Sequence, residues 1–130
     1  MYETTTALIT VRVSPSYLET QSDPDEGRWV FAYTIEIVNR SEQRVRLRSR
    51  YWHITDGVGH VEEVRGPGVV GEEPTLMPGD SFTYTSGCPL STPSGIMRGH
   101  FHMQRPDGSF FDVEVPAFSL DAPTGRRTLN

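Results

Sequence analysis

The chain has 130 residues, a length that indicates a single domain, and its formal net charge of −5 disfavours general nucleic-acid binding through a positive field. No apolar run is long enough for a membrane span, and the N-terminus lacks the basic segment followed by an apolar one that a secretory signal requires. One cysteine can form neither an internal disulfide nor a thiolate metal cluster, so we expect a reducing, cytoplasmic location.

The first half of the chain alternates apolar and polar residues, a spacing that places every second side chain on one face of a β-strand. The pattern predicts a strand over 7–13, an exposed acidic loop over 19–28, a long strand over 29–39 and another strand over 44–55. In the last of these, the apolar residues change parity between Leu47 and Trp52. We therefore expect a bulge near residues 49–51.

The second half of the chain has the same period and more turns. Strands are predicted over 60–64, around Phe82 and Tyr84, over 96–104 and over 109–115. No stretch shows helical periodicity, so the fold class is all-β: an immunoglobulin-like, fibronectin type III-like antiparallel sandwich of about seven strands. Trp52 is the candidate for its central core indole. We expect a single domain over 1–130, with a core over about 4–120 and a flexible tail over 121–130.

A glycine-rich loop is the first feature that could carry chemistry. Residues 66–71 read G-x-G-x-x-G, the pattern in which backbone amides approach a pyrophosphate at the start of a helix. No helix can follow here, because Pro74 and Pro78 forbid it, and Glu72 and Glu73 place negative charge beside any phosphate. The pattern favours a loop with glycines at positive φ and valines packed beside the sandwich. Its candidates for ligand or partner contact are Gly66, Gly68, Val69, Val70 and Gly71.

A run of arginines is the second feature. Arg44, Arg46, Arg48 and Arg50 alternate with smaller or apolar residues. In a regular strand they would form one stripe of guanidinium groups on a single face, able to meet phosphates or an acidic partner segment. A solvent face neutralised by carboxylates on neighbouring strands is the alternative.

The last hairpin is the third feature. A three-residue loop with Gly108 in the left-handed conformation would place Phe101 and Met103 on the inner face. The outer face would then carry His100 opposite Glu114 and His102 opposite Asp112. These four side chains could hold a divalent cation, Co²⁺ or Mg²⁺, or they could be two ordinary cross-strand pairs.

The sequence offers little for catalysis. All 12 basic residues are arginines, which excludes Schiff-base chemistry and the lysine of a P-loop. Cys88 has no neighbouring basic residue that would lower its pKa, and no serine lies in a G-x-S-x-G pattern. We therefore expect no enzyme, no catalytic residue and no certain cofactor.

Four segments resemble the ApaG family: RYWHITD at 50–56, GPGVVGEEP at 66–74, PGDSFTYTSG at 78–87 and GIMRGHFHM at 95–103. The resemblance covers nearly the whole chain, with these segments in the family's order and spacing. The resemblance implies the same fibronectin type III-like sandwich and an association with cobalt resistance and magnesium efflux, without an established reaction or ligand. The same domain looks like the one in some eukaryotic F-box proteins and in a DNA polymerase delta-interacting protein, which suggests protein interaction. Pro67 and Glu73 depart from the family pattern.

Two functions follow as hypotheses. The first is a small non-catalytic module that binds an unknown protein partner through the glycine loop, the arginines or an exposed sheet edge. The second is a protein of ion homeostasis that binds a divalent cation, a metal-pyrophosphate or a nucleotide. Pairing between exposed sheet edges would in addition give a homodimer.

Overall fold

The chain, with its alternating apolar and polar residues, folds into nine antiparallel β-strands in the computed structural model, which describes residues 1–123. They are β1 (Tyr2–Thr6), β2 (Ile9–Tyr17), β3 (Trp29–Asn39), β4 (Val45–Asp56), β5 (Val61–Pro67), β6 (Thr75–Leu76), β7 (Ser81–Leu90), β8 (Ser94–Gln104) and β9 (Phe110–Asp121). The acidic loop before β3 contains two single-turn 3₁₀ helices, Glu19–Gln21 and Pro24–Glu26.

The strands form two sheets that pack face to face. One sheet has the order β1-β2-β3-β7, and the other has the order β5-β4-β8-β9 with β6 paired to β4. This confirms the predicted all-β sandwich. Two strands more than the predicted seven are present. The strand predicted over 7–13 is β2, which begins at Ile9 because Ala7 and Leu8 form a turn with positive φ angles of 48° and 66°, and this turn joins it to the unpredicted strand β1. The second addition, β6, is only two residues long.

Buried side chains from both inner faces fill the space between the sheets. Trp52 is only 3% exposed and lies at the centre, as predicted. Its ring centroid lies 5.4 Å from that of Tyr33, 6.2 Å from that of Phe101 and 6.1 Å from that of Phe118, in edge-to-face arrangements. Such pairs add to the stabilisation that burial of aromatic area provides.

The predicted bulge in β4 is present, one residue earlier than expected. Leu47 pairs with Met103, and the next paired residue is Ser49, opposite His102, so Arg48 is the extra residue. Because one additional residue inverts the alternation, Trp52 still faces the core. The extra residue at position 48 therefore determines the face of the sheet on which each arginine of β4 lies.

The two sides of the sandwich differ. On one side β9 packs against β1 and β2, and on the other side the edge strands β5 and β7 border an open cleft. The homodimer expected from edge pairing stays a prediction; among the edge strands, the ten residues of β7 carry no charge.

Strand β9 is the last element in the part of the chain that the structure describes. Asp121 is the last residue of β9, and residues 124–130 of the expected tail lie outside the described residues. In the part of the chain that the structure describes, no helix is long and apolar enough to cross a membrane.

Candidate functional site

The four arginines of the predicted stripe do not share one face. They are Arg44, Arg46, Arg48 and Arg50. The first precedes β4, and the bulge at the third inverts the alternation that follows. Arg50 consequently lies on the inner side of the sandwich, beside Tyr33 and Trp52. The prediction of a single stripe is wrong because it extended a regular strand across the bulge.

Three of these arginines meet a fourth one from the last hairpin. Arg44, Arg46, Arg48 and Arg105 line a groove of about 290 Å³, which we call the arginine groove, together with Thr75 and Gln104. Arg105 comes from the turn after β8, so sequence proximity gave no signal for it. Its guanidinium carbon lies 4.0 Å from the ring centroid of Phe111, a cation–π contact that holds the side chain over the hairpin.

Few carboxylates neutralise the arginine groove. Arg48 Nε lies 2.8 Å from Glu73 Oε1, and a second nitrogen of Arg48 donates to Gln104 Oε1 at 3.2 Å. Arg46 Nε donates to the backbone carbonyl of Glu73 at 3.1 Å. Within residues 1–123, Glu73 is the one carboxylate that forms an ion pair with these four guanidinium groups. The groove therefore concentrates positive charge on an acidic protein.

The glycine loop is a tight, internally bonded turn. The backbone amide of Val69 donates to the Glu72 carbonyl at 2.8 Å, and the Glu72 amide donates back to Val69 at 2.9 Å. Between them, Val70 and Gly71 take positive φ angles of 43° and 82°. Val69 is buried as expected, whereas Val70 is 53% exposed, so only one of the two valines packs against the sandwich. No helix follows, and the amides of Val69 and Glu72 serve the turn.

Arg50 connects the glycine loop to β4. Its Nη1 donates to the carbonyls of Pro67 and Gly68, each at 2.9 Å. The guanidinium lies against Gly66, where a Cβ atom would come within 3.1 Å of both terminal nitrogens. Gly66 thus makes room for a side chain of the protein itself, which is a structural reason for the first glycine of the loop.

The last hairpin has the predicted register. His100 faces Glu114, His102 faces Asp112, and Gly108 takes a φ of 89° in the connecting turn. Asp112 lies between the two histidines: its Oδ1 is 2.7 Å from His102 Nδ1, and its Oδ2 is 3.9 Å from His100 Nε2.

The two histidines of this hairpin stack on aromatic rings. The His102 ring stacks on Phe110 at 4.6 Å between centroids, and the His100 ring stacks on Tyr51 at 5.1 Å. Among residues 1–123, no group of three or more His, Cys, Asp or Glu side chains is placed to hold a metal ion. His100, His102, Asp112 and Glu114 are therefore not grouped as metal ligands in the described residues, and a Co²⁺ or Mg²⁺ site there stays a prediction. The arrangement fits cross-strand pairs on a solvated sheet.

The single cysteine lies inside the sandwich. Cys88 is 4% exposed, and burial raises the pKa of its thiol to about 11. Because only the thiolate reacts, we expect the folded protein to react with a disulfide reagent at about pH 8 roughly a hundredfold more slowly than the urea-unfolded chain. Absorbance of the released thiol measures both rates. Similar rates in the two states would contradict the burial of this thiol.

The open side of the sandwich holds a cleft between β5 and β7. Two adjoining cavities of about 350 and 230 Å³ share Tyr33, Arg50, Trp52 and Ser86. The glycine loop forms the rim of the larger cavity, and Cys88 and Met97 lie in the smaller one. We call this feature the edge cleft. The sequence gave no direct signal for it, because its walls come from strands far apart in the chain.

Comparisons with known proteins agree on one family. The family model described as ApaG domain matches residues 19–105. Protein ApaG of Mesorhizobium japonicum and Protein ApaG of Brucella anthropi are each 62% identical to this chain over 130 residues, which is the full length of both chains in each comparison. The crystal structure of the putative ApaA protein from Bordetella pertussis is similar with a TM-score of 0.86 at 49% identity. That match covers 89% of this chain and 94% of the other.

Proposed function

Since the chain belongs to the ApaG family, we propose that it is a small non-catalytic module that binds an acidic segment of a protein partner in the arginine groove. The observation that carries this proposal is the convergence of four guanidinium groups from two parts of the chain on one groove with a single paired carboxylate. The arrangement is suited to carboxylates because guanidinium groups donate in a planar fork that matches them.

The charge distribution supports binding over a purely structural role. Arg44 and Arg105 form no ion pair with a carboxylate of residues 1–123, although the chain has 17 acidic residues against 12 basic ones. An acidic protein that leaves positive charge unpaired in one groove attracts negatively charged segments there and repels them elsewhere. This distribution of charge would select an acidic partner and would direct it to the groove rather than to another face of the protein.

We attribute the family association with cobalt resistance and magnesium efflux to the protein partner that the groove would bind. In this interpretation the protein acts on ion homeostasis by binding another protein, and the metal is not held by this chain. A strain that lacks the protein tests this point. Complementation with the wild-type gene should restore growth on cobalt, and a variant with a charge-reversed groove should not.

Reversal of two of the three groove charges that form no ion pair within residues 1–123 is expected to abolish binding without unfolding the domain. We expect the double variant Arg44→Glu with Arg105→Glu to bind a fluorescent oligoglutamate peptide at least about tenfold more weakly than the wild type, as measured by anisotropy at low salt. The affinity of the wild type should fall as salt is added.

The double variant Arg28→Glu with Arg98→Glu is the matched control. It changes the net charge by the same amount at two exposed positions that do not line the groove. Equal losses in the two double variants would show a general charge effect, and an unchanged affinity in the groove variant would exclude the groove. Either result contradicts the proposal.

A further inference from the structure

The edge cleft has the dimensions of a small-molecule site. Its two cavities, of about 350 and 230 Å³, are contiguous through four shared residues and open between β5 and β7. Sites for small ligands are typically concave, largely apolar and of a few hundred Å³, with a small number of polar groups that orient the ligand. The arginine groove lies elsewhere and shares no lining residue with the cleft.

The positive charge of Arg50 faces the cleft and forms no ion pair with a carboxylate of residues 1–123. Arg50 is half-buried. Both of its hydrogen bonds come from Nη1, to Pro67 and Gly68, so Nε and Nη2 have no partner among these residues. A partly desolvated guanidinium is costly unless an acceptor completes it. The cleft is thus prepared for an anion.

A buried donor lies in the same cleft. Tyr84 is only 7% exposed, and its hydroxyl is buried with no hydrogen-bond partner among residues 1–123. Buried hydroxyls are nearly always paired, because an unmade hydrogen bond leaves the desolvation cost uncompensated. Burial raises the pKa of Tyr84, so the phenol stays protonated and can donate. This second observation, independent of the charge on Arg50, also indicates a missing acceptor.

The remaining walls select the kind of anion. Trp52 and Tyr33 line both cavities with ring edges only, since they are buried. Val70 in the larger cavity and Val64 in the smaller one are more exposed apolar side chains. Glu62 lines the smaller cavity and adds negative charge, which disfavours a ligand with several negative charges. One arginine and one acidic wall residue suit a ligand with a single negative charge, and the apolar side chains between them suit an apolar body.

We propose that the edge cleft binds a small aromatic monocarboxylate, whose carboxylate accepts from Arg50 and from the Tyr84 hydroxyl and whose ring packs against the apolar side chains of Val64 and Val70. This site is separate from the proposed partner-binding groove, so one protein would carry a small-ligand site and a protein-binding surface. The glycine loop then has a second role, because it holds Arg50 in place at the rim of the cleft.

Phenylacetate is the probe that tests the site, with phenylacetamide as the uncharged control of the same shape. In two-dimensional amide NMR titrations, phenylacetate at millimolar concentration should shift the indole N–H of Trp52 and the amides of Gly66, of residues 68–71 and of residues 84–88. Phenylacetamide should bind at least about tenfold more weakly. Equal shifts with both compounds, shifts confined to other surfaces, or no shift with phenylacetate would overturn the proposal.

Variants separate binding from folding. Arg50→Gln should weaken phenylacetate binding at least about tenfold, whereas Arg98→Gln, at an exposed position outside both the cleft and the arginine groove, should leave it unchanged. Because Arg50 also holds the glycine loop, Tyr84→Phe is the second variant. The Tyr84 hydroxyl forms no hydrogen bond in the described part of the chain, so the fold should keep its full thermal stability. Tyr84→Phe should bind phenylacetate several-fold more weakly than the wild type. Unchanged binding in both cleft variants would overturn the assignment.

Discussion

Alanine at position 99 is expected to destabilise the protein by at least about 3 kcal/mol, because the added methyl group has no space. A Cβ atom at Gly99 would overlap the backbone carbonyl of Tyr51 on the neighbouring strand and lie 3.0 Å from Cε3 of Trp52. A flexible side chain could move away, but Tyr51 contributes backbone and Trp52 is the centre of the core. Relief would require separation of β4 from β8.

Urea unfolding followed by tryptophan fluorescence measures the effect of Gly99→Ala as a fall in the midpoint. Gly87→Ala is the matched control, since Gly87 also lies within a strand and its Cβ would sit 3.5 Å from the carbonyl oxygen of Phe31, an ordinary contact. We expect the control to change the free energy of unfolding by less than about 0.5 kcal/mol. Equal midpoints for the two variants would contradict the close approach of β4 and β8.

Most of the fold could be predicted from the sequence, because one physical signal repeats along it. Alternate side chains must face the core in a half-buried strand, so the period of two indicates the sandwich. The hairpin at Ala7 and Leu8 was missed because it has neither glycine nor asparagine at its positive φ angles, and those residues are the usual signal for such a turn. The sequence pattern places Gly99 in a strand, but only the packed structure shows that it lies against the backbone of Tyr51.

The candidate sites were harder to predict than the fold. The register of the last hairpin follows from its turn, since loop length and a left-handed glycine determine which residues face each other. The prediction of one arginine stripe is wrong because the bulge in β4, which the parity change indicates, also inverts the face of the sheet on which Arg50 lies. Arg105 and Tyr84 belong to sites assembled from distant segments. Spacing along the chain contains no information about such contacts.

The second large effect is expected at Gly68, the middle glycine of the loop. Its φ is +58°, and a Cβ atom there would overlap the backbone carbonyl oxygen of Glu72. Alanine in a left-handed conformation costs about 1 kcal/mol, and the overlap adds the loss of the paired backbone bonds between Val69 and Glu72. We therefore expect Gly68→Ala to destabilise the protein by at least about 2 kcal/mol, measured as a lower urea midpoint.

Gly71→Ala is the control for the conformational part of this effect. Gly71 has a φ of +82°, yet a Cβ atom there would meet nothing within 4 Å, so the variant should lose only about 1 kcal/mol. Equal losses at both positions would show that the close approach of Gly68 to Glu72 costs nothing and that strain alone matters. The difference between the two variants therefore measures the overlap.

The Gly68 variant also separates two explanations of the glycine pattern. If the glycines served a phosphate, their loss would remove phosphate binding and leave Arg50 in place. In the structure, Arg50 donates to the carbonyls of Pro67 and Gly68, so displacement of the loop should release its guanidinium. Amide NMR of Gly68→Ala should then show changed shifts at Trp52 and along β7, beyond the loop itself. Shift changes confined to 66–72 would contradict the link between the loop and the edge cleft.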